Sequence, residues 1–173
     1  GKTLLGDIGM FQVAYQSYGG DTVKMPVSWW GHFTEDSGIA YVPNWARMGR
    51  NVIFMHSPWR VPAGKTWVDY RLKLPEATPI TLSFGIAMQE DVANPEKSDG
   101  VTFGCYVLDG AQERELLHEH QATGIWKDFQ FDLAPWAGKT ITLRLQVEPG
   151  PANNASWDYS FFGDANIMCG RTC

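Results

Sequence analysis

Ile141, Leu143, Leu145 and Val147 alternate without a break against Thr140, Thr142, Arg144, Gln146 and Glu148. Successive side chains of a strand point to opposite faces, so this run has one apolar and one water-loving side. Strands of that kind are covered on one face only, which argues for an antiparallel sheet over a doubly covered parallel one. Val101, Phe103, Cys105 and Val107 repeat the pattern, as do Phe129, Phe131 and Leu133, then Val68, Tyr70, Leu72 and Leu74, and Ile80, Leu82, Phe84, Ile86 and Met88. On the last of these the alternate positions are small, Thr81, Ser83, Gly85 and Ala87, which predicts a shallow trough open to a ligand or a covering loop. Asp109-Gly110, Pro135 to Gly138 and Pro149-Gly150-Pro151 separate the runs and supply the backbone angles that reverse a chain. No run of ~11 residues has helical period. The chain is therefore expected to be all-β, an antiparallel β-sandwich (jelly roll) of about nine to eleven strands. Its 173 residues suit one domain over 1–173, with no internal repeat.

The remaining segments are less regular. Phe11, Val13 and Tyr15 predict one strand, with another at 23–29, and residues 51–56 form a short apolar strand ending at His56. Residues 29–50 are rich in Gly, Trp and charge and read as one long loop or a pair, and long ordered loops tend to carry function. Residues 89–99 form an acidic polar loop, and Glu113 to His120 read either as a hairpin strand or as a helical turn.

Asp99-Gly100-Val101-Thr102-Phe103, Trp126-Lys127-Asp128-Phe129, Asp132-Leu133, Ala137-Gly138-Lys139, Leu143-Arg144-Leu145, Ser156-Trp157-Asp158, Gly163-Asp164 and Ile167 resemble the C-terminal half of NPCBM-type carbohydrate-binding modules. With His56-Ser57-Pro58 and Leu72 to Pro75 the resemblance spans residues 52–168. It implies a galactose-binding-like sandwich that is non-catalytic and covalently linked to a bacterial glycosidase or lyase. It also implies a secreted or cell-surface location. Modules of this class often hold a structural calcium ion, and Asp7, Asp158 and Asp164 are the donors expected here, since first and last strands lie side by side in relatives. No spacing in the sequence specifies that site.

The net charge of -5 and the scattered Lys and Arg argue against nucleic acid as a partner, and no apolar run of ~18 residues could span a bilayer. No signal peptide is visible, although a chain starting Gly1-Lys2 is compatible with one already removed. Cys105 falls on an inward-facing position and is expected to be a buried free thiol. Cys169 and Cys173 are close enough to form a small disulfide or to remain reduced in a tail.

Aromatic residues supply 13% of the chain, with eight Trp. A core absorbs many rings, but that many indoles suggests that some face a ligand. A pyranose stacks its C–H face on Trp or Tyr, and its hydroxyls take planar donors and acceptors. Trp30, Tyr41, Trp45, His56, Trp59, Arg60 and Asp158 supply both kinds near strand ends. Each also has a structural reading: a ring in the core, His56 bonded to Asp158, or Asp158 accepting backbone N–H groups. Trp126 and Trp136 sit beside turns that the family resemblance treats as framework.

Enzyme motifs are missing: there is no nucleophile elbow, P-loop, dinucleotide fingerprint or zincin helix. His118-Glu119-His120 places two imidazoles on one strand face but offers no third metal ligand. Two alternatives stand beside sugar binding. A jelly-roll lyase would assemble Tyr41, Arg47, Arg50, His56 and Arg60 around a uronate, and a glycosidase would need a second carboxylate facing Asp158. The other alternative is a protein-interaction domain of a cell-surface assembly.

Overall fold

The alternating runs become strands, and their apolar faces meet. The computed structural model describes residues 1–28 and 30–170. Thirteen strands form among them: β1 (Lys2–Leu4), β2 (Gln12–Ser17), β3 (Thr22–Met25), β4 (Gly31–Phe33), β5 (Gly38–Trp45), β6 (Arg50–His56), β7 (Gly64–Lys73), β8 (Ile80–Met88), β9 (Val101–Asp109), β10 (Gln112–Gln121), β11 (Lys127–Asp132), β12 (Thr140–Pro149) and β13 (Ser160–Cys169). A short helix, α1 (Leu5–Ile8), and a 3₁₀ turn at Ala134–Trp136 complete the set.

Every pairing is antiparallel, as the one-sided alternation requires. One sheet runs β11-β8-β13-β6-β5-β4 and the other β10-β9-β12-β7-β2-β3. β6 pairs with the first half of β13 and β1 with the second, so the first and last strands do lie side by side. A bulge between Gly163 and Asn166 separates the two halves, with Asp164 at φ 47°. The Gly1 ammonium donates to the Cys169 carbonyl at 3.0 Å, which brings the two ends of the fold together.

Between the sheets Val68, Tyr70, Leu82, Ile86, Phe103, Leu143, Leu145 and Phe162 form a continuous core. Cys105 is buried and free there, and Trp136 joins the same cluster. Cys169 is disulfide-bonded, while the expectation for Cys173 lies outside the described residues.

Two expectations are corrected, and the trough along β8 takes the second of its two expected outcomes, cover by a loop. Within residues 29–50, 31–33 and 38–45 are not loop but strands β4 and β5; β4 has three residues, and β5 runs from buried positions at 38–40 to exposed ones at 42–44 without alternating, so neither shows a period. Trp67 and Asp69 are not solvated. Arg144 holds Asp69 through two hydrogen bonds of 2.8 and 3.0 Å and lies over the Trp67 ring, closing the outer face of the six-stranded sheet. The trough along β8 is filled by Trp126, whose ring occupies the space left by Gly85 and Gly163 and whose Nε1 donates to the Met48 carbonyl at 2.8 Å.

Candidate functional site

Strand register sets the outer face of the seven-stranded sheet in rows, because directly opposed residues point the same way. Phe33, Gly38 and His56 form one row across β4, β5 and β6. Ala40, Phe54, Phe161 and Ala87 form the next. Gly38 is required in its row: a Cβ there would sit 2.1 Å from the Phe33 ring, so its absence lets that ring lie across the sheet toward His56.

Trp59, which follows β6, and Trp157 and Tyr159, which precede β13, close around this row. With Phe33, Phe54, His56, Ala155 and Ser156 they line an open pocket of about 490 Å³. Phe33, Trp59 and Trp157 are 46%, 39% and 47% exposed, so large apolar rings remain in water at its rim. Phe54 anchors the floor against Phe33, Tyr159 and Phe161 at ring separations of 5.8, 6.1 and 5.7 Å. Such a pocket can stack a flat apolar ligand face and offers few polar contacts.

The central polar group is His56. Its Nδ1 lies 2.7 Å from the Ser57 carbonyl oxygen, and the Trp59 and Tyr159 rings meet it edge-on at 4.8 and 5.4 Å. Burial holds its pKa below the usual imidazole range, and the carbonyl bond only partly offsets this. The expected contact with Asp158 is absent because that carboxylate turns the other way. Asp158 accepts from Ser98 Oγ at 2.6 Å, its second oxygen has no partner, and burial pushes its pKa up to about 7. Ser98 in turn accepts the Gly100 N–H, so Asp158 ties the wall of the pocket to the loop before β9. Among the described residues it accepts no backbone N–H.

Among the sequence-derived candidates, His56 and Trp59 are brought into one pocket and Asp158 stands behind its wall. Trp45 packs edge-on against Phe161 at 4.8 Å, within the cluster of Met48, Val52 and Ala87. Tyr41 packs into the core beside α1, where Gly6 leaves room for its ring. Trp30 is exposed and does not line the pocket, and Arg60 pairs with Glu35 at 3.1 Å. The lyase set does not converge. Arg47 pairs with Asp91, Arg50 lies over Trp126 and bonds Asp128, and burial pushes the Tyr41 hydroxyl up, with Asp7 and Asp164 adding to the shift.

Of the three expected calcium donors, two come together and the third does not. Asp7 and Asp164 line one shallow pocket with Lys2 and Asn51, whereas Asp158 is packed against Ser98. Asp164 Oδ1 already accepts two N–H groups of Asn51 at 3.0 Å, and its other oxygen is 4.0 Å from Arg50. A site needing six to eight oxygens is not met by these residues. Among the described residues no group of three or more His, Cys, Asp or Glu could hold a metal ion, and His120 is engaged with the Asp99 carbonyl at 2.8 Å.

Phe33, Phe54, Trp157 and Tyr159 were not among the candidates. Only Phe54 left a signal: β6 is apolar on both faces, with Val52 and Phe54 opposite Ile53 and Met55, which marks something covering its outer side. The others meet through register and loop closure.

No protein-family model matches the chain. An uncharacterized protein of Archaeoglobus fulgidus is 36% identical over 92 residues, which is 50% of this chain and 23% of that protein; the chain thus matches about a quarter of the relative's length. Among solved structures, CBM51 from Clostridium perfringens GH95 in complex with methyl-galactose superposes with a TM-score of 0.57 at 13% identity, over 97% of this chain and 100% of that one. TmCBM61 in complex with β-1,4-galactotriose gives 0.55 at 14%, covering 80% and 85%. A cleaved adhesin domain of Lys-gingipain from Porphyromonas gingivalis gives 0.53 at 13%, covering 98% and 97%. The chain has the galactose-binding-like β-sandwich fold, and the resemblance in residues 52–168 holds at that level.

Proposed function

We propose that this galactose-binding-like sandwich binds a carbohydrate non-covalently in the pocket of Phe33, Trp59 and Trp157, and that it targets a linked glycan-degrading enzyme to its substrate. One observation carries the reading. Three half-exposed rings surround one buried, neutral imidazole, which matches the two-sided chemistry of a pyranose: C–H faces for the rings and hydroxyls for the nitrogen. The methyl-galactose and β-1,4-galactotriose bound in the two carbohydrate-binding structures are consistent with it.

A binding role fits better than catalysis. Asp158 has the raised pKa of a general acid, but it is 1% exposed and does not line this pocket, so a sugar bound there does not reach it. Tethering raises the local concentration of an attached enzyme at its substrate, so modest affinity suffices. The disulfide at Cys169 suits a secreted setting, and among the described residues no helix is long and apolar enough to cross a membrane.

The test is a glycan array followed by calorimetry on each hit, with absorbance monitored at ~235 nm for the unsaturated product of an elimination. Saturable binding without product is expected, and Trp59→Ala should weaken it at least about tenfold. Product formation would revive the lyase reading. An empty array would turn the exposed rings over to a protein partner.

A further inference from the structure

We infer that the pocket selects uncharged sugars, with His56 Nε2 as an acceptor-only contact for a sugar hydroxyl, an inference that rests on the carbohydrate reading above.

The argument begins at Ser57. A carbonyl oxygen only accepts, so the 2.7 Å contact fixes the proton of the neutral ring on Nδ1. Nε2 then carries a lone pair and no hydrogen. It has no hydrogen-bond partner among the described residues, and the ring that bears it lines the pocket. Trp59 and Tyr159 meet the ring edge-on, at interplanar angles of 79° and 69°, so it is held in this orientation. Burial opposes a second proton, and no charged group is among the causes acting on the ring. The wall therefore offers a lone pair to whatever enters.

The rest of the lining agrees. Phe33, Phe54, Trp59, Ser156, Trp157 and Tyr159 carry no charge at neutral pH. The cations nearest in the chain are engaged elsewhere: Arg60 pairs with Glu35, and Lys97 lies over the Trp157 ring while its Nζ donates to the Asp91 carbonyl at 3.2 Å. Neither lines the pocket. A carboxylate or sulfate entering here would lose its hydration, find no counter-charge and set its own lone pairs against that of Nε2. A hydroxyl loses less and has a proton to donate.

A matched set of ligands tests this by calorimetry at pH 7.5: the methyl glycoside of a sugar bound on the array, the uronic acid of the same sugar, and the methyl ester of that acid. The glycoside and the ester should bind within a few-fold of each other, and the acid at least about tenfold more weakly. An acid that binds as well as its ester overturns the inference while leaving the sugar reading intact; failure of every glycan removes both. Long-range ¹H–¹⁵N spectra of the histidine rings give an independent check without ligand or variant. The His56 ring should be the Nδ1–H tautomer, and an Nε2–H tautomer would overturn the acceptor role.

Discussion

Trp59 and Trp45 lie on the same outer side of one sheet and should respond to alanine in opposite ways. Trp59 is a rim ring, so Trp59→Ala is expected to weaken sugar binding at least about tenfold with little change in melting temperature. Trp45 packs against Phe161, so Trp45→Ala should cost about 2 kcal/mol of stability and leave affinity unchanged. Thermal melts and calorimetry on both variants check the pair. Asp158 gives a pH signature. Its folded pKa is raised from 3.8 to about 7, so between those values the folded state keeps a proton that the unfolded chain has released. Its contribution to stability is thus fully present below about pH 4 and lost as pH rises through about 7. Asp158→Asn keeps an oxygen for Ser98 without the charge, and its melting temperature should fall less than the wild type's across that window.

At the scale of elements, the pocket depends on β4, an edge strand of three residues that carries Phe33. Gly31 opens it at φ 133°, and a Cβ there would lie 2.2 Å from the Ile39 carbonyl oxygen. Gly31→Ala should therefore push β4 off β5. Because an edge can detach without opening the core, pocket affinity should fall more than global stability, with faster amide exchange at His32 and Phe33. The same element explains what the sequence could and could not reveal. β7, β8, β9 and β12 were legible because each buries one face over eight residues or more and so prints a period of two. β4 and β5 printed none, and the β10 bulge between Glu115 and Leu117 sets Leu116 beside Leu117, which blurs strand and helix. His56 and Trp59 were legible because they sit together at a strand end. The sequence points equally to Trp30, Trp45 and Tyr41, because composition does not tell a ring at the rim from a ring in the packing. Phe33 and Trp157 meet at the pocket from positions far apart in the chain, through pairings that only the folded register fixes.

On the scale of the whole molecule, one core joins both sheets, so scanning calorimetry should record a single transition, and bound sugar should move it upward. With the carboxylates engaged as they are, EDTA and added calcium should leave both the transition and the affinity unchanged; a shift of several degrees would restore a metal to the fold. The pairing of Gly1 with Cys169 has a mechanical consequence. β13 runs from the pocket wall at Ser160 to that junction, about 30 Å at ~3.3 Å per residue. Gly1 and Cys169 thus lie together at one end of β13 and the pocket at the other, so a tag placed beside that junction sits far from the rings. A fluorescent protein fused at either end should leave affinity untouched.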